Sequence, residues 1–302
     1  MDFGKLHDIS HVDFTLPPDH PDTLPLLRRS GTYVKPQVFV GLPVWVNKAW
    51  VGGIYPPRMT EKESLLWYGK QFNTIELNST HYHIPSPSTI DRWRNTVPQG
   101  FRFCPKFPQL ISHEAALCST QTITAAFCEA ISGLEEKLGD SFLQLPPTFS
   151  PRQLSDLDAF LQFIPESIPI NVELRHPDWF TDNIASLELF EVLEKYKVGS
   201  VFTDVAGRRD VLHMRLTTPS AMVRFVGNGL HPTDYKRIDD WVQRLKVWFD
   251  NGLQQLYFFV HEPDNTLAPE LETYLVQQLN KVCGFDLKVP KKFVQPIQGE
   301  LF

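Results

Sequence analysis

Between residues 38 and 261, short apolar runs alternate with longer amphipathic segments. The runs are 38–45 (VFVGLPVW), 73–78 (NTIELN), 101–106 (FRFCPK), 141–145 (SFLQL), 169–175 (PINVELR), 199–204 (GSVFTD), 221–226 (AMVRFV) and 255–261 (QLYFFVH). Each is rich in β-branched or aromatic residues, the signature of a strand covered on both faces. The segments between them carry helix signals. Thr60 with Glu63 forms a capping-box pattern ahead of Leu65, Leu66 and Phe72. Ser86-Pro87 and Ser150-Pro151 each place a cap residue before a proline at the first helical position. Ile123, Phe127, Ile131, Leu134 and Leu138 form a stripe at helical spacing that ends at Gly139. Ile238, Trp241, Leu245, Trp248 and Phe249 form another, ending near Gly252. Leu271, Leu275, Leu279 and Val282 form the last, ending at Gly284.

Eight strands alternating with helices predict a parallel sheet, and eight is the number that closes a (β/α)8 TIM-like barrel. The barrel spans residues 37–286. Its sixth unit is irregular: residues 205–220 hold GRRD and TTP and no long helical pattern. An open doubly wound sheet is the alternative, and a Gly-rich phosphate loop after the first strand would favour it; none is present. Residues 1–36 are rich in Pro, Asp and His without a sustained period, and read as an arm lying over the barrel or partly mobile. Residues 287–302 combine Lys and Pro with a terminal apolar pair and read as a flexible tail.

Composition narrows the function classes. With 302 residues and 42% hydrophobic content, the chain buries a core large enough for one domain of barrel size. The net charge of -6 makes the chain as a whole no electrostatic trap for nucleic acid, while leaving a local basic groove open. There is no apolar run of roughly 18 residues, so no membrane span is expected. The start, MDFGKLHDISHVDF, lacks the features of a secretory signal, and a cytoplasmic protein is expected. Cys104, Cys118, Cys128 and Cys283 form no C-x-x-C pair and no zinc spacing, which fits free thiols in a reducing compartment. With no nucleotide fingerprint and no cysteine pair, no nicotinamide or flavin cofactor and no redox chemistry are expected.

Barrel chemistry sits at the C-terminal ends of the strands. Alternation places Thr74, Glu76 and Asn78 on one face of strand two, and Asn171, Glu173 and Arg175 on one face of strand five. The same logic adds Lys106, Gln144, Asp204, Arg224 and His261 from strands three, four, six, seven and eight, with His176 just beyond strand five. Three carboxylates and three fixed cations would then share the barrel mouth. One reading is a salt-bridge network that fills the mouth. The other is a site for a small polar or anionic, including phosphorylated, molecule. Glu76, Glu173 and Asp204 would supply acid–base chemistry of the hydrolase, lyase or isomerase kind. Asn78, Lys106, Gln144, Arg175, His176, Arg224 and His261 would bind. Glu76, Glu173, Asp204, His176 and His261 also leave a divalent metal open, without an H-E-x-x-H spacing to support it. No G-x-S-x-G signal is present. His113 lies in a long loop after strand three, and Trp45, Trp50, Tyr55, Tyr82 and Trp179 fall near strand ends, as an aromatic wall or as packing.

Several strings along the chain are distinctive in combination. They are Gly41 with Trp45, IYPP at 54–57, the series Tyr68, Phe72, Glu76, Asn78, Thr80, Tyr82 and Pro85, and RFCPK at 102–106. Ser112-His113, KLGDSFLQLPPTF at 137–149 and VELRHPDWF at 172–180 complete the set. In combination, over about residues 38–285, they resemble the YecE-like family, bacterial barrels classed as a domain of unknown function. The resemblance implies a TIM-like barrel and no established activity. Relatives carry an Arg-x-His-Gly string on strand seven, where this chain has Arg224, Phe225, Val226 and Gly227. Strand eight ends FVHEPDN rather than in a Phe-Asn-Asn-like string. A step needing the strand-seven histidine would pass to His261 or Glu262, next to it in a closed barrel.

The last five residues, Gln298, Gly299, Glu300, Leu301 and Phe302, resemble the Gln-x-x-Leu-Phe peptides by which bacterial DNA-metabolism proteins bind the sliding clamp. Three functions therefore stand side by side: an enzyme or binder of a small polar ligand, a clamp-tethered DNA-processing or DNA-binding protein, and a non-catalytic regulatory barrel.

Overall fold

All eight strands form in the computed structural model, which describes residues 4–31, 35–181 and 183–293. They are β1 (Gln37–Leu42), β2 (Thr74–Leu77), β3 (Arg102–Pro105), β4 (Ser141–Gln144), β5 (Ile170–Glu173), β6 (Gly199–Asp204), β7 (Ser220–Val226) and β8 (Gln255–His261). Every ladder is parallel, and the order β3-β2-β1-β8-β7-β6-β5-β4 is that of a barrel rather than a doubly wound sheet. The β3–β4 seam is drawn together by isolated bridges, Lys106 with Phe142 and Phe103 with Leu138. There Phe107 N donates to Phe142 O at 3.0 Å, and Gly139 N to Phe103 O at 2.8 Å.

The outer layer holds α1 (Thr23–Ser30), α2 (Ser64–Gln71), α3 (Pro87–Thr96), α4 (Gln121–Ser132), α5 (Leu154–Phe163), α6 (Asp178–Thr181), α7 (Asn183–Lys195), α8 (Pro232–Asp250) and α9 (Ala268–Cys283). The capping signals work as their chemistry requires. Thr60 and Glu63 form a reciprocal capping box, as do Ser150 and Gln153, and Ser86 caps α3. Gly284 ends α9 in the left-handed conformation, at φ 75°. The stripe from Ile123 ends sooner than its spacing implies. The α-helix stops at Ser132, and Leu134 reaches the core from a following turn.

Inside the barrel, Phe39, Cys104, Phe142, Val201, Met222, Tyr257 and Phe259 pack into an apolar plug. Helices bury the outward strand faces, with Trp179, Trp241 and Trp248 among the largest enclosed side chains. Polar side chains that point inward at the C-terminal ends of the strands therefore sit above an apolar floor.

The sixth unit contains only the short turn Arg209–Val211 between β6 and β7. The N-terminal arm occupies the missing helix's place. His20 N donates to Met214 O at 3.2 Å, Thr23 Oγ1 donates to the same carbonyl at 2.8 Å, and Thr23 Oγ1 accepts from Leu216 N at 3.1 Å. Asp19 accepts from Arg244 at 2.6 Å and from Trp248 Nε1 at 3.1 Å, which joins the arm to α8. Helix α1, which carries too short a stripe to read from sequence, buries Leu27 completely.

The reading of 287–302 as one free tail is corrected for its first half. Asn280 exchanges two hydrogen bonds with Leu287, Gln71 exchanges two with Lys291, and Phe293 packs edge-on against Trp67. Residues Gln298, Leu301 and Phe302 lie outside the described residues. Among the described residues, no helix is long and apolar enough to cross a membrane.

Gly41 faces β2 so closely that a Cβ there would overlap the Thr74 carbonyl oxygen. Gly41→Ala should therefore destabilise the fold by about 1–3 kcal/mol through overpacking, read as a lowered urea midpoint with an unchanged slope.

Candidate functional site at the barrel mouth

Strand alternation aims Glu76 (β2), Glu173 (β5) and Arg224 (β7) into the barrel from three separate walls, and all three are essentially inaccessible to solvent. Arg224 bridges the two carboxylates. Its Nε and Nη2 donate to Glu76 at 2.9 and 2.8 Å, and its Nη1 donates to Glu173 at 2.6 Å. Glu76 also accepts from Asn78 Nδ2 at 2.9 Å and His261 Nε2 at 2.8 Å. Glu173 also accepts from Arg175 Nε and Gln144 Nε2, both at 2.8 Å. Burial by itself would raise the pKa of both glutamates. For Glu76 the neighbouring Arg224 and His261, and for Glu173 the neighbouring Arg175 and Arg224, override burial and hold the carboxyls well below the usual range. The same carboxylates hold Arg224 above its usual value despite burial.

Lys106 lies one layer higher. Its Nζ donates to Gln144 Oε1 at 2.8 Å and, among the described residues, pairs with no carboxylate. Burial, aided by repulsion from Arg224, lowers its pKa to about 8.

Asn78, Lys106, Gln144 and His261 line one cavity of about 660 Å³. Val226 and Glu262 form the adjoining wall, Val226 standing opposite His261 in the β7–β8 register. Residues 4–9 of the arm supply a roof through Lys5, Leu6, His7 and Ile9. Gly4 anchors that roof, its carbonyl accepting from Gly207 N at 2.8 Å.

Glu262 is a second group tuned towards neutrality. Its Oε2 accepts from Gly229 N at 2.7 Å, while Oε1 is buried without a partner among the described residues. Burial pushes its pKa up to about 7, partly offset by the Gly229 N–H. A Cβ at residue 227 would overlap the Glu262 carboxylate, so Gly227 makes its position attainable.

His81, which strand alternation does not reach, lies in the turn after β2 and lines the same cavity. Its Nδ1 sits 2.8 Å from Phe107 O; a proton there leaves Nε2 as an acceptor. Burial, then the Lys106 charge, lowers its pKa to about 4.

Two residues expected in the mouth lie elsewhere. Asp204 points outward from β6, on the face of Phe202, because Thr203 takes the inward position. It accepts from Arg237 and from Trp241 Nε1, both at 2.7 Å, and pairs with Arg209. His176 turns back to cap α6, its Nδ1 accepting from Asp178 N at 3.2 Å. The mixed metal-ligand set is therefore not assembled, and among the described residues no three His, Cys, Asp or Glu side chains converge to hold an ion. Of the aromatic residues, Tyr82 lines the cavity. Trp50, Tyr55 and Trp179 are packing residues whose polar atoms bond to backbone carbonyls. Trp45 packs edge-on against Trp93. His113 bonds Ser112 Oγ at 2.7 Å and stacks edge-on against His81.

Arg224→Ala would strand two ionised glutamates and should cost about 3–5 kcal/mol at pH 7. A depressed carboxyl pKa gives stability that is present above about pH 4.5 and lost as pH falls through the folded value. The gap between wild type and variant should therefore narrow at pH 4, measured by chemical denaturation at both pH values.

Comparison with known proteins agrees with this architecture. The family model for "Protein of unknown function DUF72" matches residues 39–292. The UPF0759 protein YecE of Escherichia coli K12 is 34% identical over 284 residues, covering 88% of this chain and 100% of that protein. The UPF0759 protein YunF of Bacillus subtilis is 26% identical over 153 residues, covering 48% of this chain and 52% of that protein. The crystal structure of a DUF72 family protein from Enterococcus faecalis V583 aligns with TM-score 0.66 at 18% identity, covering 86% of this chain and 100% of that one. One from Thermotoga maritima MSB8 aligns with TM-score 0.62 at 23% identity, covering 82% and 100%. With its barrel fold and its match from β1 to beyond α9, the chain belongs to the DUF72 family, the family of the UPF0759 protein YecE.

Proposed function

We propose that the barrel mouth binds a small anionic ligand of the carboxylate or phosphate class and acts on it by proton transfer. The observation that carries this reading is Lys106. The guanidiniums of Arg224 and Arg175 already meet Glu76 and Glu173, whereas the Lys106 ammonium faces the cavity with an amide oxygen as its partner. An anion entering there gains a desolvated cation at a preformed position.

The acid–base work falls to groups poised near neutrality. The Glu262 carboxyl, at about 7, can give or take a proton, and Lys106, at about 8, can do so on Nζ. Neutral His81 offers a hydrogen-bond acceptor beside them. Glu76 and Glu173 are poor proton carriers, being ionised and hydrogen-bonded on both oxygens. Their part is to fix Arg224, Asn78, Gln144 and His261, which form the rigid lower wall. Asp204 is withdrawn from the catalytic set and ties β6 to α8. Where relatives carry a histidine on strand seven, this chain has Val226, and Glu262 supplies a titratable group in the adjoining wall.

Calorimetric titration with inorganic phosphate and with small dicarboxylates tests the reading. Binding of at least one should weaken as pH rises through 8, when Lys106 loses its proton, and should fall at least tenfold in Lys106→Met. Equal binding by Lys106→Met, or no binding by any of these probes, would remove its support. A separate check concerns Glu262. Its raised pKa means that the folded state holds a proton that the unfolded chain has lost between pH 4.5 and about 7. Its contribution to wild-type stability should decline across that window, and Glu262→Gln should remove that decline.

A second reading rests on Gln298, Leu301 and Phe302: an apolar pair behind a glutamine suits a pocket on a sliding clamp. Binding of a labelled 289–302 peptide to the clamp, lost with Leu301→Ala and Phe302→Ala, would support a DNA-linked role.

A further inference from the structure

A second cavity, of about 480 Å³, opens at the outer layer of the barrel between α2, the start of the β2 region and α9. Its walls are mainly apolar, with Val40, Phe72, Phe101, Val276 and Leu287 among them. Glu272 of α9 projects among these groups. Its position is a core position by spacing, since Ala268 and Val276, one turn to either side, are both buried. Glu272 itself is 2% exposed, and its Oε2 has no hydrogen-bond partner among the described residues.

A carboxyl in such a place is costly, and packing alone would be better served by Leu or Met. The two lysines nearby do not neutralise it. Lys70 Nζ lies 3.9 Å over the Trp67 ring, and Lys288 Nζ donates to the Lys70 carbonyl. Both are exposed at the rim, where water and salt screen them. Burial raises the Glu272 pKa well above the usual carboxylate value, which favours the neutral acid over the carboxylate.

We infer that this cavity is a ligand site separate from the barrel mouth, taking a primary amine on a short apolar chain, with Glu272 as its counter-ion. The chain fills the apolar walls and the ammonium meets the carboxyl. Binding is then coupled to ionisation: R–NH3⁺ and the neutral Glu272 acid give an ammonium–carboxylate pair, and one proton leaves to solvent. The pair forms among apolar side chains, where an ion pair with good geometry is stronger than at a fully exposed surface. An alcohol of the same length gains the walls without the charge.

Full-length protein titrated calorimetrically with n-hexylamine, n-hexanol and hexanoate, between pH 6 and 8 in two buffers of different ionisation enthalpy, tests this. Hexylamine should bind at least tenfold more tightly than hexanol, with net release of protons to the buffer. Its affinity should rise with pH as Glu272 loses its proton more readily. Glu272→Gln should lose the preference for the amine and leave hexanol binding unchanged, and Lys106→Met should alter neither. Equal or tighter binding of hexanol or hexanoate, absence of binding, or an amine preference that survives Glu272→Gln would overturn the inference. If Glu272→Gln fails to fold, proton release and the pH slope in the wild-type protein decide the question.

Discussion

The Arg224 guanidinium is the pivot of this barrel. From β7 it reaches Glu76 on β2 and Glu173 on β5, so one planar cation ties together three walls that lie far apart in sequence. Buried carboxylates persist only where a partner compensates the loss of water. The sequence around each strand end follows from that need. Asn78, Gln144, Arg175 and His261 satisfy the remaining lone pairs of the two glutamates. Rotamers locked in this way make a rigid floor for whatever enters above.

The charge balance of the floor shapes the layer over it. Arg224 and Arg175 counter Glu76 and Glu173, and Lys106 is the further cation, bonded to an amide oxygen and partly desolvated. Across the mouth, Glu262 rests against loop backbone through Gly229 and beside Gly227. One floor that is fixed in its ionisation and one upper layer that is poised to change it is the arrangement proton-transfer sites use.

The missing sixth helix has a similar logic. A strand face cannot be left open to water, and the chain covers it with its own N-terminal arm. That arm then continues over the mouth as a roof, so one segment serves both the core and the candidate site. Asp204 belongs to this outer joint rather than to the barrel mouth, since Arg237, Arg209 and Trp241 converge on it and the Arg237 guanidinium lies near the rings of Phe14 and Phe225.

Local sequence by itself determined the eight strands, their parallel barrel order and the faces of β2 and β5, because period-two alternation and capping chemistry act between near neighbours. Glu76, Glu173, Arg224, Lys106, Gln144 and His261 were legible for the same reason, each standing at a strand end on a polar face. Asp204 was misread because GSVFTD has no uniformly polar face, and the orientation of β6 depends on packing by Trp241 and Trp248. His176 was misread because a residue just past a strand takes its direction from the next turn. The arm in the sixth gap, the shift of Lys106 and Glu262 towards neutrality, and the isolated Glu272 carboxyl were decided only in the tertiary structure. Each depends on which distant side chains exclude water from a charged group, and that is a property of the assembled barrel.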